Sequence, residues 1–495
     1  MVSRGRQGNV KLQCNVFLLL EFDVRSKGLI KISEHATMDK IQQYIDDNKD
    51  AFLKQWFEVL RIPSVSAQRE HKDDMKKTAS WLVSFLTEKL GMSARTISTD
   101  GNPLVYGESP SVPNAPTVML YGHYDVMPSE PDDAWFTPPF EPTIRDNKVF
   151  CRGANDDKGQ WCAHLCGMQA FLALNGSFPL QIKVILEGEE EVGSASLSTF
   201  LDSEENRKLL ACDALLVSDT SAAGPGLPAI TYGLRGVMSF EVKLTGPNRD
   251  LHSGVYGGSV WNPAIALAKL LAAMIDEDGK VQIPEFYDDV EPITQLERNA
   301  LAQNPYNAAE EKNQIGIESS FGEKEYTVLE RRGARPSFDV NGITSGYQGE
   351  GGKTIIPSWA SAKFTFRTVP NMNPEKIRKN VEDFVKSHVP TDVKVELEYQ
   401  QGSGGMVAPL TGKFVVAASK VLENVYGVKP RFVRDGGSIP IVAKLRQKLN
   451  AETVLMGFGL EDDAIHSPNE KFNLDSFFNG IKTDVLLWDA FSKVS

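Results

Sequence analysis

The first part of the chain alternates between two hydrophobic spacings. From residue 41 to residue 60 apolar side chains recur every three or four positions, and residues 79–90 repeat this spacing, so both segments are predicted helices. Short apolar runs, typical of buried strands, follow at 118–121, 182–186 and 215–217. A helical stretch at 161–174 separates the first two runs. This alternation predicts an α/β domain with a mostly parallel sheet.

A second pattern begins after residue 236, where apolar and polar residues alternate one by one. Strands with one solvated face are predicted at 238–244, 364–368 and 393–399. Helical segments at 263–275 and 374–388 lie among them. Together these elements predict a smaller two-layer α/β unit. Residues 276–335 are irregular and polar, and we expect them to form a long surface excursion.

The two patterns divide the chain into domains. We expect residues 38–235 and 405–495 to form the first domain and residues 236–404 to form a second domain inserted into it. Two domains fit a length of 495 residues, which exceeds what one hydrophobic core usually organises.

The N-terminal residues 1–37 show neither of these two hydrophobic patterns. Basic residues precede a short apolar run at 16–20, and acidic residues follow at once, whereas the apolar region of a secretory signal is usually longer. We interpret this segment as a disordered tail or a mis-assigned start before Met38, with a signal peptide as the alternative. No apolar stretch reaches the roughly 18 residues of a membrane span, so no membrane association is predicted.

Net charge and cysteine content limit which classes of partner and which compartment we expect. A formal net charge of -12 argues against a nucleic-acid surface or attraction to anionic lipid. An odd number of cysteines without a CxxC pair suggests neither a disulfide framework nor a thiolate zinc site: Cys14, Cys151, Cys162, Cys166 and Cys212. We therefore expect a cytoplasmic protein that acts on small molecules or peptides.

Chemically active side chains follow the predicted strands, at the edge where open α/β sheets hold their ligands. His123 and Asp125 follow strand 118–121 and share one face of an extended chain. His123 could bind a metal ion while Asp125 holds the other ring nitrogen. A histidine in a polar loop is the alternative, since an HxD pattern alone is weak.

Two acidic clusters lie on either side of the next strand. Residues 152–159 place Asp156 and Asp157 before a helix, where a carboxylate could bridge two metal ions or cap the helix. Residues 187–194 contain three consecutive glutamates between a buried strand and a glycine, where like charges repel unless a cation or proton is shared. A metal-binding carboxylate beside a general-base carboxylate is what metal-assisted hydrolysis needs.

Two further groups complete the set. Asp219 follows strand 215–217, and His466 follows a strand predicted at 453–456. Each alone is equally typical of a cap or loop residue. Five such groups at strand ends together indicate a metal site, and carboxylates with imidazoles but no thiolate favour zinc, manganese or cobalt.

From about Met38 to the C-terminus the motifs resemble those of a known family. The chain resembles the dinuclear zinc metallopeptidases that include cytosolic nonspecific dipeptidase and carnosinase, together with related deacylases. The motifs occur in the family's order: YGHYDVMP, RGANDDKG, EGEEEVGS, SDT, TYGLRG, DLHSGVYGGSV, TVPNMNPE, RDGGSIP and IHSPNE. The wider family shares the metal motifs, whereas TYGLRG and DLHSGVYGGSV resemble its dipeptidase branch.

The resemblance assigns roles to the candidate residues. It implies two divalent metal ions, with zinc first and manganese or cobalt as alternatives. The implied ligands are His123 and Asp219 for one ion, Glu191 and His466 for the other, and Asp156 as the bridge. It also implies that Glu190 is the general base, which takes a proton from water activated by the two ions, and that Asp125 orients His123.

The resemblance also implies that the inserted domain is a lid that forms a homodimer. The lid would bring His252 to the substrate of the partner subunit, where the imidazole could stabilise an oxyanion. Arg367 would hold the substrate carboxylate. The other implied substrate contacts are Thr354, Asp435, Gly437 and Ser438. Close dipeptidases often carry Glu where this chain has Asp435, which is shorter by one methylene.

Without the resemblance, the residues of the lid favour simpler interpretations. His252 would be a loop residue packed against Tyr256, and Arg367 would be a surface arginine on the face opposite Phe364 and Phe366. The predicted function is hydrolysis of peptide bonds in dipeptides or short peptides. The alternatives are an N-acyl-amino-acid deacylase of the same mechanism and a catalytically silent binding or scaffold protein. A serine hydrolase is unsupported because GxSxG is absent.

Overall fold

The computed structural model describes the backbone of residues 24–494 and the side chains of residues 38–494 other than 401. The tail predicted at residues 1–37 lies mainly outside these described residues and stays a prediction. The helices are α1 (Val24–Leu60), α2 (Lys72–Glu88), α3 (Lys158–Asn175), α4 (Ala195–Phe200), α5 (Glu204–Leu210), α6 (Ser253–Tyr256), α7 (Pro263–Ala273), α8 (Gln295–Leu301), α9 (Ala308–Ile315), α10 (Val328–Ala334), α11 (Pro374–His388), α12 (Lys413–Tyr426), α13 (Pro440–Leu449) and α14 (Leu474–Ser492).

The strands form four sheets. In chain order they are β1 (Ser93–Ile97), β2 (Leu104–Glu108), β3 (Thr117–His123), β4 (Thr143–Arg145), β5 (Lys148–Phe150), β6 (Gln181–Glu187), β7 (Ala214–Val217), β8 (Ala229–Leu234), β9 (Gly236–Thr245), β10 (Leu251–His252), β11 (Ser337–Ser345), β12 (Ile355–Ile356), β13 (Trp359–Thr368), β14 (Lys394–Gly402), β15 (Met406–Val407), β16 (Arg431–Asp435), β17 (Glu452–Leu455) and β18 (Lys471–Asn473). The small sheets are β10 with β12 and β18-β5-β4.

The central sheet has the order β1-β2-β6-β3-β7-β17-β8-β15, and β16 also pairs with β8. Its core is parallel, because β6, β3, β7 and β17 run in the same direction. The outer strands are antiparallel to their neighbours: β1 pairs with β2, β2 with β6, and β15 with β8. The prediction of a mostly parallel sheet is confirmed. Strand β17 comes from the C-terminal part of the chain and lies between β7 and β8.

Both faces of the central sheet are covered. Along β3, Val118 and Leu120 enter one hydrophobic cluster with side chains of α1, α2, α3 and α14, whereas Met119 and Tyr121 enter a second cluster on the other face. The alternation of side chains along a strand explains this split. A sheet buried on both faces needs apolar residues at consecutive positions, as the runs in the sequence indicated.

A second unit is built on the sheet β11-β13-β9-β14, in which every pair is antiparallel. Alternate residues of β9, such as Phe240 and Val242, pack with Leu267 of α7 and Val381 of α11. The helices thus cover one face, and the expected two-layer α/β unit is confirmed.

The segment 276–335 is more ordered than the sequence indicated. It contains helices α8, α9 and α10. Helices α8 and α10 begin with a capping box, in which Thr294 and Thr327 each pair with a glutamate three residues later. Phe286 of this segment packs into the core of the second unit. The expectation of an irregular surface excursion was therefore wrong at these elements, and the Thr-x-x-Glu spacing was the signal for two of them.

None of the helices in the described part of the chain is both long enough and apolar enough to cross a membrane.

Candidate functional site

Neighbouring strands of the central sheet end at one edge and carry the candidate residues there. His123 is the last residue of β3 and pairs in register with Glu187, the last residue of β6. Asp219 lies two residues after β7, which is the other neighbour of β3. Because parallel strands place their carboxyl ends at the same edge, residues far apart in the sequence meet here.

Two groups of possible metal ligands share one carboxylate. His123, Asp156 and Asp219 form the first group, and Asp156, Glu191 and His466 form the second; within each, the ligand atoms lie within 4.8 Å of one another. His123 Nε2 lies 3.0 Å from Asp156 Oδ1 and 3.9 Å from Asp219 Oδ2. His466 Nε2 lies 3.0 Å from Asp156 Oδ2 and 3.2 Å from Glu191 Oε2. Asp156 therefore turns one oxygen toward each group.

The acids of this cluster lie too close together for all of them to be ionised without a cation. Burial raises the pKa of Glu190 and that of Glu191, and neighbouring carboxylates raise both further. Burial and the charge of Asp156 raise the pKa of Asp219 to about 7. A divalent cation would replace the protons that these carboxylates otherwise need. The donor set of oxygen and imidazole nitrogen, without sulfur, fits zinc, manganese or cobalt.

The pKa values of the two imidazoles are raised as well. Hydrogen bonds to Asp156 and Glu191 raise the pKa of His466 to about 10. Burial alone would lower the pKa of His123, but its contacts with Asp125 and Asp156 raise it. Both rings therefore lie in a strongly anionic environment, which also favours a bound cation.

Asp125 contacts both the imidazole of His123 and the glutamate turn. His123 Nδ1 lies 3.0 Å from the carbonyl oxygen of Asp125 and 3.4 Å from its carboxylate Oδ1. With both acceptors on the Nδ1 side, the Nε2 lone pair can face Asp156. The carboxylate also accepts the backbone N–H groups of Glu190 and Glu191, each at 3.2 Å, and the hydroxyl of Ser66 at 2.7 Å.

The two adjacent glutamates have different surroundings. Glu191 directs its carboxylate to His466, whereas among the described residues no donor contacts the Glu190 carboxylate. Its raised pKa and its free oxygens suit a group that accepts a proton during a reaction. The geometry thus separates two residues that the sequence alone does not distinguish.

A second cluster surrounds the loop after β16. Arg367 Nη1 donates to Ser438 Oγ at 2.9 Å, and Asp435 Oδ1 accepts the Gly437 N–H at 2.8 Å. Four of the predicted substrate contacts therefore lie together. Among the described residues, Arg367 has no carboxylate partner within ion-pair distance, so its charge is available to an anion.

Arg235 also contacts this loop, although it was not predicted as a site residue; it lies in the TYGLRG motif. Its Nε donates to the Gly436 carbonyl at 3.1 Å, and its backbone N–H donates to the Gly437 carbonyl at 3.1 Å. Burial and the nearby charge of Arg367 lower the pKa of Arg235 to about 10. Arg235 thus holds the loop next to Arg367.

His252 and Thr354 lie elsewhere: His252 is the last residue of β10, and Thr354 immediately precedes β12. His252 pairs in register with Ile355, and the Ser253 N–H donates to the Thr354 carbonyl at 3.1 Å. The exposed His252 ring accepts the Gly254 N–H at Nδ1, at 3.0 Å. Within the described part of this single chain, no hydrogen bond or ion pair joins His252 to the carboxylate cluster.

Comparisons with known proteins identify the family of the chain. The family model "Peptidase family M20/M25/M40" matches residues 119–489. The chain is 35% identical to the Cys-Gly metallodipeptidase dug1 of Schizosaccharomyces pombe over 90% of this chain and 96% of that protein. It is 32% identical to the human Beta-Ala-His dipeptidase over 90% of this chain and 91% of that protein. The solved structure of the di-peptidase Dug1p from Saccharomyces cerevisiae has 31% sequence identity and a TM-score of 0.77, covering 92% of this chain and 98% of that one.

Proposed function

The chain belongs to peptidase family M20/M25/M40 and is a hydrolase of the metallopeptidase class, and from that premise we propose that it hydrolyses dipeptides with two divalent metal ions. The observation that carries the proposal is the shared carboxylate of Asp156, which lies 3.0 Å from His123 on one side and 3.0 Å from His466 on the other. Zinc is the proposed metal, with manganese or cobalt as alternatives.

Each side chain of the cluster has a proposed task. His123 and Asp219 would hold one ion, Glu191 and His466 would hold the other, and Asp156 would be shared by both. When bound, such ions polarise the scissile carbonyl and make water more acidic. Glu190 takes the proton from the attacking water and passes it to the leaving amine, which its uncontacted carboxylate supports. Asp125 keeps His123 and the glutamate turn in position.

The cluster after β16 is the proposed binding site for the ends of the substrate. Arg367, with Ser438 at 2.9 Å, binds the substrate carboxylate, because a guanidinium without an ionic partner favours an anion. Asp435 and Gly437 contact the rest of the dipeptide, and Thr354, which lies beside His252 and not in this cluster, is the remaining proposed contact. A free carboxylate would then be required for tight binding, and the C-terminal amide of a good dipeptide should show a raised KM.

The inserted domain, residues 236–404, is proposed to act as a lid and as the homodimer interface, with residues 38–235 and 405–495 as the catalytic domain. Large apolar side chains are exposed close to His252 in the sequence: Val255, Tyr256, Val260, Trp261 and Ile265. Exposed apolar patches of this kind are typical of protein interfaces. In a two-fold dimer each subunit would supply His252 to the site of its partner.

A metal and substrate experiment tests the function. Chelation should abolish hydrolysis of a dipeptide panel, and zinc, manganese or cobalt should restore it. N-acetyl and N-succinyl amino acids serve as the comparison, because faster hydrolysis of these than of dipeptides would indicate a deacylase instead. Full activity of metal-free protein would contradict the metal-dependent mechanism.

A subunit-mixing experiment tests the shared His252. Neither His252→Ala nor Glu190→Gln homodimers should be active, but doubly tagged heterodimers should regain about half of the wild-type kcat, since one of their two sites has both groups. No recovery in verified heterodimers would mean that His252 does not act across the interface.

The proposed compartment is the cytoplasm. The described cysteines Cys151, Cys162, Cys166 and Cys212 form no disulfide, as is typical of proteins in a reducing compartment. Fractionation of cells that express the tagged full chain tests this location.

A further inference from the structure

We propose that Glu470 is a positioning residue that clamps the loop of Asp156 to the loop of His466, and that this clamp sets the affinity of the metal position formed by Glu191 and His466. The inference rests on the proposed two-metal function. We call the contacts of Glu470 with residues 152–156, together with the bond between Asn155 and Asp463, the Glu470 clamp.

The Glu470 carboxylate is fully buried and accepts four hydrogen bonds from one loop. Its Oε2 accepts from Arg152 Nη1 and from the Gly153 N–H, both at 2.9 Å. Its Oε1 accepts from the Asn155 N–H at 2.9 Å and from the Asp156 N–H at 3.1 Å. The last of these bonds holds the backbone of the residue whose carboxylate is shared between the two ligand groups.

Arg152 anchors the clamp to a third segment. Its Nη2 donates to the Pro128 carbonyl at 3.1 Å, and its guanidinium lies over the ring of Trp135, 5.3 Å from the centroid. A buried guanidinium and a buried carboxylate compensate each other only in such a well-bonded arrangement. Loss of either partner would leave the other charge buried without compensation.

The loop of His466 is bound to the same segment at its other end. Asp463 Oδ2 accepts from Asn155 Nδ2 at 2.9 Å, and its Oδ1 pairs with Lys471. The loop from Asp463 to Glu470 is therefore attached to the loop of Asp156 on both sides of His466.

This attachment is needed because the backbone between the two anchors is unfavourable. Ala464, His466 and Asn469 have φ values of 55°, 59° and 67°. Residues other than glycine adopt this left-handed region uncommonly, although asparagine and histidine do so more readily than alanine, so the surrounding contacts help to hold this backbone. Without the Glu470 clamp the loop would relax, and His466 would leave its contacts with Asp156 and Glu191.

The other metal position does not depend on this loop in the same way. His123 ends β3 and Asp219 follows β7, so the central sheet holds both of them. Asp156 belongs to both positions, but a change in its loop removes one ligand from the first position and disturbs two at the second. Weakening the clamp should therefore affect the two positions unequally.

The substitution Glu470→Gln tests the clamp with minimal change of shape. A carboxamide keeps one accepting oxygen, but its NH2 group would face two donors. The matched control is Glu452→Gln, because Glu452 accepts the backbone N–H groups of Lys413, Phe414 and Val415 at 3.1, 2.8 and 3.0 Å at the start of α12. Both variants weaken a carboxylate that holds backbone, but only one lies at the metal site.

The experiment titrates zinc into chelator-treated full-length protein in competition with a fluorescent chelator, and follows unfolding in parallel. We expect Glu470→Gln to bind one ion with affinity close to wild type and the second at least about 10-fold more weakly, as for other residues that orient metal ligands. Glu452→Gln should bind both ions like wild type although its melting temperature falls.

Other outcomes overturn the proposal or separate it from the proposed function. The clamp is overturned if Glu470→Gln binds both ions with wild-type affinity. It is also overturned if Glu452→Gln loses as much affinity for the second ion as Glu470→Gln does. If Glu470→Gln does not fold, Asn155→Ala takes its place, because it removes the link to Asp463 and should weaken binding of the second ion alone. Unchanged affinity of Asn155→Ala for the second ion also overturns the proposal. Wild-type protein that binds two ions but hydrolyses no dipeptide contradicts the proposed function and leaves the clamp standing.

Discussion

The two imidazoles that contact Asp156 are held in opposite ways. The side chain of His123 is 0% exposed, at the end of a central strand, whereas that of His466 is 48% exposed, on a loop. The His123 backbone accepts from Trp161 Nε1 at 2.9 Å and donates to Asp157 at 3.2 Å. The same ligand chemistry is thus fixed by the sheet on one side and by loop contacts on the other, so substitutions on the two sides should have different consequences.

The largest effect should come from the residue common to both sides. Asp156→Ala removes an oxygen ligand from each group, so both ions should bind weakly. Because proton transfer from metal-activated water would be lost with them, kcat/KM should fall by about 10^4-fold. Metal analysis after gel filtration, together with dipeptide hydrolysis, measures this. Retention of one ion at wild-type affinity would show that the two positions are independent, and the comparison between them would lose its basis.

Glu190→Gln should lower kcat by about 10^3-fold while both ions remain bound, because the amide keeps the shape but cannot accept a proton. Glu191→Ala should instead lose the ion on the His466 side. Metal content and kcat of the two variants are compared in one preparation. Interchanged phenotypes would mean that the base and the ligand have been assigned the wrong way round.

The sheet side also contains a buried titratable group, Glu187, at the end of β6. Burial raises the pKa of Glu187 from 4.5 to about 8, and its Oε1 accepts from Tyr121 and Ser194. A raised folded pKa means that the folded state retains a proton that the unfolded state has lost. Stability should therefore fall as the pH rises from about 4.5 to 8.

Glu187→Gln removes this titration and keeps an accepting oxygen. In metal-free protein the variant should gain about 3 kcal/mol relative to wild type between pH 5 and pH 8, at roughly 1.4 kcal/mol per pKa unit. Urea unfolding across that range measures the difference. A pH-independent difference would show that Glu187 does not titrate in the folded protein.

The direct comparison of the two histidines should give the smallest effect. In metal-free protein, His123→Ala should lower the free energy of unfolding by about 2 kcal/mol more than His466→Ala, because a buried hydrogen-bonded ring leaves a cavity and unpaired polar groups. Urea unfolding of both variants tests this. Equal losses would mean that the exposed loop contributes as much to the fold as the sheet does.

The sequence predicted the sheet side of the site better than the loop side. His123 and Asp219 follow apolar runs that are recognisable as strands, and parallel strands bring their ends together. The position of His466 depends on Glu470 and on its four donors, which come from a loop more than 300 residues away in the chain. No local spacing encodes such a contact, so His466 was a candidate only as a residue that follows a predicted strand, and its assignment as a ligand of one ion came from the resemblance to a family.

Some elements and contacts of the structure were not predicted from the sequence. Strands β8 and β16 were not predicted, because their apolar runs are short and interrupted by Gly233 and Arg434. Helices α8 and α10 were missed although their capping boxes were visible at Thr294 and Thr327. The second contact of Asp125, to the glutamate turn, depends on the packing of β3 against β6 and is not readable from the sequence.

The place of β17 in the central sheet has a consequence for biosynthesis. The ribosome completes β7 and β8 long before it reaches residues 452–455, which lie between them in the finished sheet. Until then the nascent chain has an open strand edge at the centre of the catalytic sheet, and such edges are prone to aggregate. A premature stop codon before residue 452 would leave that gap permanently, so even a late truncation should yield insoluble protein instead of a shortened enzyme.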